Sequence, residues 1–345
     1  MSTTTVSSAM ISSGVLPAVH RNDIINGGLV VNQENQTAPA DDAYTIGDLF
    51  LHVGEGTPVM SLETDGPQGV RPWQKMVLDA NAQGGLVYFM SNADVQDYIA
   101  NGKLSFGIQL KTTSATIANA RIGILKWTGT ADAVTSDVVG TWASDGTNPT
   151  LATNWSYENT PANIGLTTSF ARHTVEDITV DSDTKNIAIF VWTDDGTITA
   201  SDVIGFSEWQ CNPGSTVNAF SSPLKTTTER QVAHYFRTIP DAITHNTALP
   251  VMQAFTTALA EGAIMLNPPM RAGIQPTLAF VGTIGNVQAW KANSVVTNPT
   301  GISYQNRSES AFSYRLTGMS GLVAGHAVHQ IIWPPAEYIT IDSRL

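Results

Sequence analysis

Lys103-Leu-Ser-Phe-Gly-Ile-Gln-Leu110 decides the fold class. Leu104, Phe106, Ile108 and Leu110 fall on every second position, with Lys103, Ser105, Gly107 and Gln109 between them. A period of two marks a strand with one face buried. Gln74-Lys-Met-Val-Leu-Asp79 alternates in the same way. Gly85-Leu-Val-Tyr-Phe-Met90 and Asn186-Ile-Ala-Ile-Phe-Val-Trp192 are almost continuously apolar, as in fully buried strands. Ala120–Trp127 and Asp177–Val180 continue the series, and Ile24–Val31 is an apolar run around Gly27-Gly28. Turn signals lie between them at Asp145-Gly146, Asp195-Gly196 and Pro213-Gly214. Many short strands with turn punctuation indicate an antiparallel sandwich. Connections of roughly 15–30 residues suit a jelly roll better than an immunoglobulin-like domain.

Downstream, Val232, Tyr235 and Phe236 recur at helical spacing, which predicts a helix over Thr228–Thr238. Thr227 or Thr228 would cap it and Pro240 would end it. A shorter helix is expected at Asp94–Ala100. After residue 250 strands resume at Val251–Thr256, Ala263–Leu266, Thr277–Val281, Ala289–Lys291, Ser310–Thr317 and Ala327–Trp333. The expected fold is therefore mainly β: a jelly-roll β-sandwich, a short helix and a second, smaller β-sandwich unit. The expected boundaries are an N-terminal attachment arm at 1–22, the jelly roll at 23–225, and the helix with the C-terminal β-unit at 226–345.

Composition narrows the function. The chain has 345 residues, of which 13% are charged, and a net charge of -12. Nucleic-acid binding needs a basic footprint, and none is present. No apolar stretch is long enough for a membrane helix. The single cysteine, Cys211, cannot staple a monomer and reads as a buried structural residue. The N-terminus does not read as a secretory leader, so synthesis in a cytoplasm is expected. Ser2, Thr3, Thr4 and Thr5 open the arm, either as a frayed terminus or as a strand laid on a neighbouring subunit.

Catalytic signatures are absent from the sequence: there is no GxSxG, HExxH, Walker A or CxxC, and the expectation is a non-enzyme without a cofactor. His326 and His329 sit three apart in strand-like sequence, which puts them on opposite faces. His234 reads as a surface or interface residue. Asp181 and Asp183, two apart in a loop, could supply oxygens to a structural Ca²⁺, although Asp is also a default turn residue. Trp142 and Trp155 lie in polar Gly/Ser/Asn/Thr-rich stretches with Asp145 and Tyr157 close by. Aromatic faces in such loops stack on sugar rings, so these four residues are the candidate glycan contacts; the competing reading has the rings capping a core. Trp127, Trp192 and Trp209 end apolar strands and read as core.

Several stretches resemble, in order, a β-sandwich family of bacteriophage virion proteins, especially tail fibres and other receptor-binding or head-displayed proteins. They are Ile25-Asn26-Gly27-Gly28-Leu-Val-Val-Asn32-Gln33 at the opening, then Tyr44-Thr45-Ile46-Gly47-Asp48-Leu49-Phe50 and Ala100-Asn-Gly-Lys-Leu-Ser-Phe106. Ile204-Gly-Phe-Ser-Glu-Trp-Gln-Cys-Asn-Pro213 follows, with the helix around Tyr235-Phe236 after it, then Pro269-Met270-Arg271 with Pro276-Thr277, and Ile341-Asp-Ser-Arg-Leu345. Gln210-Cys211-Asn212 departs from the family's usual Gln-Leu-Glu. The resemblance implies a non-enzymatic structural protein of the virion, displayed on the particle as a tail fibre or receptor-binding element with host-glycan binding. A capsid decoration or cement protein, or a head spike, is the alternative, and a glycan depolymerase a lesser one. It further implies other virion proteins and a host surface glycan as partners, and a homotrimer as the assembly.

Overall fold

The structure is a computed structural model. It describes residues 21–79, 82–114, 116–143, 146–194, 198–239, 247–248, 251–291, 294–295, 298–332 and 338–344. They divide into two compact units. The first holds 21–30 and Gln36–Leu224; the second holds Val31–Asn35 and Lys225–Arg344.

In the first unit the elements run β1 (Ala43–Tyr44), β2 (Phe50–Gly54), β3 (Val59–Glu63), β4 (Trp73–Val77), β5 (Gly84–Met90), α1 (Asn92–Asn101), β6 (Lys103–Thr112), β7 (Asn119–Trp127) and β8 (Val139–Thr141). They continue with β9 (Thr150–Leu151), β10 (Trp155–Tyr157), β11 (Ile164–Gly165), β12 (Ala171–Thr179), β13 (Asn186–Thr193) and β14 (Val203–Pro213). One sheet has the order β1-β2-β5-β13-β7-β10, with β11 also on β7, and the other β12-β6-β14-β4-β3; the ladders are antiparallel. The chain changes sheet between β2 and β3, β4 and β5, β5 and β6, β6 and β7, and on either side of β12 and β13. Such alternation makes a jelly-roll sandwich.

Strand periodicity places the core. Leu104, Phe106, Ile108 and Leu110 of β6 are all fully buried between the sheets. Phe50 of the first sheet meets Trp209 of the second at 4.9 Å between ring centroids, and Phe106 packs on Trp209 at 5.6 Å. The opposite phase of the first sheet is buried too. Val87, Leu125, Trp127, Ala188, Phe190 and Trp192 form a second cluster with Val138, Val139 and Trp155. The segment after β7 folds back over this face, so β5 and β13 are covered on both sides. That explains their continuous apolar sequences.

Two local features differ from the sequence reading. Ile24–Val31 is a series of turns rather than a strand, with Asn26 and Leu29 at φ 61° and 54°. Arg21 and Asn22, expected as the end of the arm, belong to the sandwich: Gln210 Nε2 donates to the Arg21 carbonyl at 2.6 Å and the Cys211 amide to Asn22 Oδ1 at 3.1 Å. Ser2, Thr3, Thr4 and Thr5 lie outside the described residues. The shorter helix, α1, spans Asn92–Asn101; the Ser91 side chain caps it by accepting from the Asp94 amide, and Gly102 closes it at φ 72°.

In the second unit the elements run α2 (Lys225–Val232), β15 (Phe236–Ile239), β16 (Thr247–Ala248), β17 (Met252–Ala254), β18 (Leu259–Met265), β19 (Thr277–Val281) and β20 (Gln288–Lys291). Then come β21 (Ser294–Val295), β22 (Gly301–Gln305), β23 (Ala311–Thr317), β24 (Ala327–Ile332) and β25 (Tyr338–Asp342). The orders are β15-β25-β19 and β21-β20-β24-β17-β18-β23-β22, with β16 also on β24. Phe312, Tyr314 and Leu316 of β23 alternate into a core with Ile264, Val328, Ile339 and Ile341. The helix expected over Thr228–Thr238 begins earlier and stops at Val232. Phe236 and Thr238 alternate inward as β15 and pair with Asp342 and Thr340. Long-range pairing overrides the helical spacing of Val232, Tyr235 and Phe236.

Just before β1, burial pushes the Asp42 carboxyl up to about 6, helped by the neighbouring charges of Asp41 and Asp137. A carboxyl whose folded pKa exceeds its ordinary 3.8 opposes folding once ionised. The fold therefore loses stability as pH rises from about 4 to 6, and the cost is constant above that window. With solvent screening the expected size is about 1 kcal/mol. Asp42→Asn is expected to be more stable than the parent at pH 7 and equal to it near pH 4, read by urea unfolding at both values. Equal stabilities at pH 7 would refute the assignment.

Candidate functional site

On the second sheet the phase opposite Leu104, Phe106, Ile108 and Leu110 faces away from the core. The registers bring Lys111 beside Gly205, Gly205 beside Lys75, Gln109 beside Ser207, and Arg172 beside Gln109. Trp73 of β4 crosses this face. A Cβ on Gly205 would lie 2.8 Å from two carbons of the Trp73 ring, so glycine is what lets the indole lie across β14. Trp73 is buried, its Nε1–H donating to Asp65 Oδ1 at 2.7 Å. That hydrogen bond holds the Asp65 carboxyl below its usual range. Phe170, half-buried, stands edge-on to Trp73 at 5.5 Å. The Lys111 ammonium sits 3.7 Å from the Trp73 ring centre and 4.6 Å from that of Phe170.

These residues enclose an open cleft of about 420 Å³. Its floor is Gln109 and Lys111. One wall is Asp65 with the turn Gly66–Gln68, the other Thr168, Ser169 and Phe170. Gln68 stands at φ 62°, which turns the first wall sharply.

Behind the floor lies a buried carboxylate. Glu208 is 6% exposed and sits at φ 51°, in the register shift of β14 against β6 between Ser207 and Gln210. A positive φ on a buried Glu is strained backbone, of the kind that concentrates at functional sites. Gln109 Nε2 donates to Glu208 Oε2 at 3.4 Å, and Arg71 Nε lies 3.6 Å from Oε1. Arg172 also feels the charge of Glu208, while burial lowers its pKa. Its guanidinium occupies the space a side chain on Gly107 would take, 2.7 Å from that Cβ, and donates to the Asn218 carbonyl at 3.1 Å. The cleft thus offers one half-exposed aromatic ring, an ammonium, a carboxylate, two amides and hydroxyls, with the Gln109 amide braced from behind. Such a set can stack on an apolar ring face and hydrogen-bond hydroxyl groups around it.

The sequence-derived glycan contacts do not gather here. Trp155 is 5% exposed, between Trp127 at 5.1 Å and Phe89 at 5.8 Å, and its Nε1 donates to Thr135 Oγ1. It is a core residue, because β10 pairs with β7 and draws the ring onto the sheet. Trp142 is half-buried, edge-on to Phe190 at 6.0 Å. Tyr157 is half-buried, and its hydroxyl donates to the Pro149 carbonyl at 3.0 Å. Asp145 lies outside the described residues. Asp181 and Asp183, the pair that could supply oxygens to calcium, both lie against Lys126, at 2.5 and 3.2 Å from its Nζ. Among the described residues no group of three or more His, Cys, Asp or Glu could hold a metal ion.

Cys211 is buried, with the Tyr98 hydroxyl 3.3 Å from its Sγ, and burial pushes the thiol up. His326 and His329 are both exposed. The cleft residues carried one signal in the sequence: Gln109 and Lys111 occupy the polar phase of the most regular alternating strand. That signal alone does not separate a cleft floor from a solvent face.

No protein-family model matches the chain, and no curated protein matches it. Among solved structures it is similar to TmCBM61 in complex with β-1,4-galactotriose, at 12% identity over 56% of this chain and 99% of that one, with a TM-score of 0.32. It is also similar to a family 11 carbohydrate-binding module from Clostridium thermocellum, at 11% identity over 49% and 90%, with a TM-score of 0.28. A third is the enzymatically active domain of bacteriophage CBA120 tailspike protein 4, at 10% identity over 55% of this chain and 21% of that one, with a TM-score of 0.32. At these scores the likeness carries no argument about ligand or setting. The β-sandwich stands on the sheets described above.

Proposed function

We propose that the first unit is a non-catalytic saccharide-binding sandwich, and that it serves as a receptor-binding element displayed on a bacteriophage particle. The observation that supports saccharide binding is the cleft: Phe170 for a sugar's C–H face, with Gln109, Asp65, Ser169 and Lys111 around it for hydroxyls. The phage setting is supported by the ordered sequence resemblance, which spans both units. On this reading the partners are a host surface glycan and other virion proteins, and the assembly is a homotrimer.

The test is a glycan array followed by titration calorimetry of the best saccharide with the full chain and with Phe170→Ala. Stacking of one sugar ring contributes on the order of 1–2 kcal/mol, so Phe170→Ala is expected to weaken binding by about tenfold or more while the melting temperature barely moves. Trp142→Ala should leave the affinity unchanged. The reverse pattern, with Trp142 mattering and Phe170 not, would move the site to the other sheet.

A further inference from the structure

We propose that the cleft selects a saccharide bearing an acidic group, and that Lys111 is the residue that selects it; this rests on the saccharide reading above. Lys111 is the cation among the residues lining the cleft, and Asp65 the carboxylate. The Lys111 ammonium lies against two ring faces, at 3.7 and 4.6 Å. An aromatic face attracts a cation without using its N–H donors. Among the described residues no carboxylate comes within 4.0 Å of this ammonium, and it makes no hydrogen bond. Its charge, and the donors it turns away from the rings, therefore remain available at the cleft floor.

Lys75, on the far side of Gly205 from Lys111, does not line the cleft, and the charges nearer to it are largely engaged. Arg71 lies against Glu208, Arg172 Nη2 donates to the Asn218 carbonyl while its Nη1 is buried without a partner among the described residues, and Glu176 accepts from the Val217 amide at 2.7 Å. Asp65 feels Lys111 from beyond ion-pair distance, and one of its oxygens is held by the Trp73 indole. The cleft thus has a donor end at Lys111 and an acceptor end at Asp65. A sugar that lays hydroxyls toward Asp65 and an acidic substituent toward Lys111 satisfies both. A neutral sugar forgoes the charge-assisted hydrogen bond that an acidic group makes with the ammonium.

The experiment uses the full chain and two pairs of probes: tetragalacturonate against its methyl ester, and dextran sulfate against dextran. The pairs separate a carboxylate from a sulfate ester. The acidic member of at least one pair is expected to bind about tenfold or more tighter than its neutral partner, with the preference shrinking as salt is raised. Lys111→Met keeps the stem on Trp73 and is expected to abolish that preference, the acidic probe losing more affinity than its neutral partner. Lys111→Arg should retain it. Equal binding of acidic and neutral probes by the parent, or a preference that survives Lys111→Met, overturns the selection by Lys111 and leaves the saccharide cleft intact. Failure of Phe170→Ala to weaken any bound probe overturns the cleft itself. Thermal melts of each variant separate lost folding from lost contact.

Discussion

Arg121→Met is expected to lower the unfolding free energy by about 3–5 kcal/mol. The guanidinium is almost fully buried, with its Nε 3.0 Å from Asp194 Oδ2, and the Asp194 side chain is 1% exposed. The same guanidinium donates to Asn163 Oδ1 at 2.7 Å and to Asn148 Oδ1 at 2.5 Å. Asp194 accepts in addition from the Gly146 amide at 3.2 Å. Removing the arginine leaves a carboxylate buried with only that amide among the described residues, and it releases the segment around Asn148 and Asn163 from the sheet. Breaking one side of a buried pair costs far more than the pair contributes, because the remaining charge stays desolvated. Urea unfolding followed by tryptophan fluorescence gives the value. A loss under about 1 kcal/mol would mean that water reaches Asp194 freely.

Trp209→Ala is expected to cost a similar amount, about 3–5 kcal/mol, for a different reason. Trp209 is fully buried where the two sheets meet, touching Phe50 at 4.9 Å, Phe106 at 5.6 Å and Phe206 at 6.2 Å. Its carbonyl also accepts from Asn22 Nδ2 at 2.9 Å, and its amide donates to the Gly27 carbonyl at 3.0 Å. Truncation opens a cavity among aromatic rings that cannot collapse while the β14–β6 ladder holds them apart. By contrast, Trp142→Ala, at a half-buried ring, is expected to cost about half as much or less. Chemical denaturation of both variants ranks them; parity between them would contradict the assignment of Trp209 to the centre of the sandwich.

The sandwich was legible where burial is one-sided or two-sided in a regular way. β6 showed its alternation, and β5 and β13 showed the continuous apolar runs of strands covered on both faces. What covers their outer face was not legible. Trp142 and Trp155 sit in similar polar sequence, yet Trp155 is drawn into the second cluster by pairing across to Trp127, a contact that no local pattern announces. The end of α2 failed for the same reason. Phe236 keeps helical spacing with Val232, but its strand partner lies in β25.

The cleft lining comes from three separate stretches of chain, Asp65–Gln68, Gln109 with Lys111, and Thr168–Phe170, with Trp73 against Lys111. Only the sheet order makes them neighbours, and only Gly205 lets the indole lie where it does. The strain at Glu208 is a backbone fact that the residue's identity does not betray. Lys126 between Asp181 and Asp183 shows the converse case: carboxylate spacing was visible, the lysine that answers it was not.

The most direct measurement is a crystal structure of the full chain with the best-binding saccharide from the array. The expected result is a sugar ring on the second sheet, its C–H face within about 4 Å of Phe170 and its hydroxyls bonded to Gln109 and Asp65. A ring seated instead on the first sheet beside Trp142, with this cleft empty, would contradict the assignment.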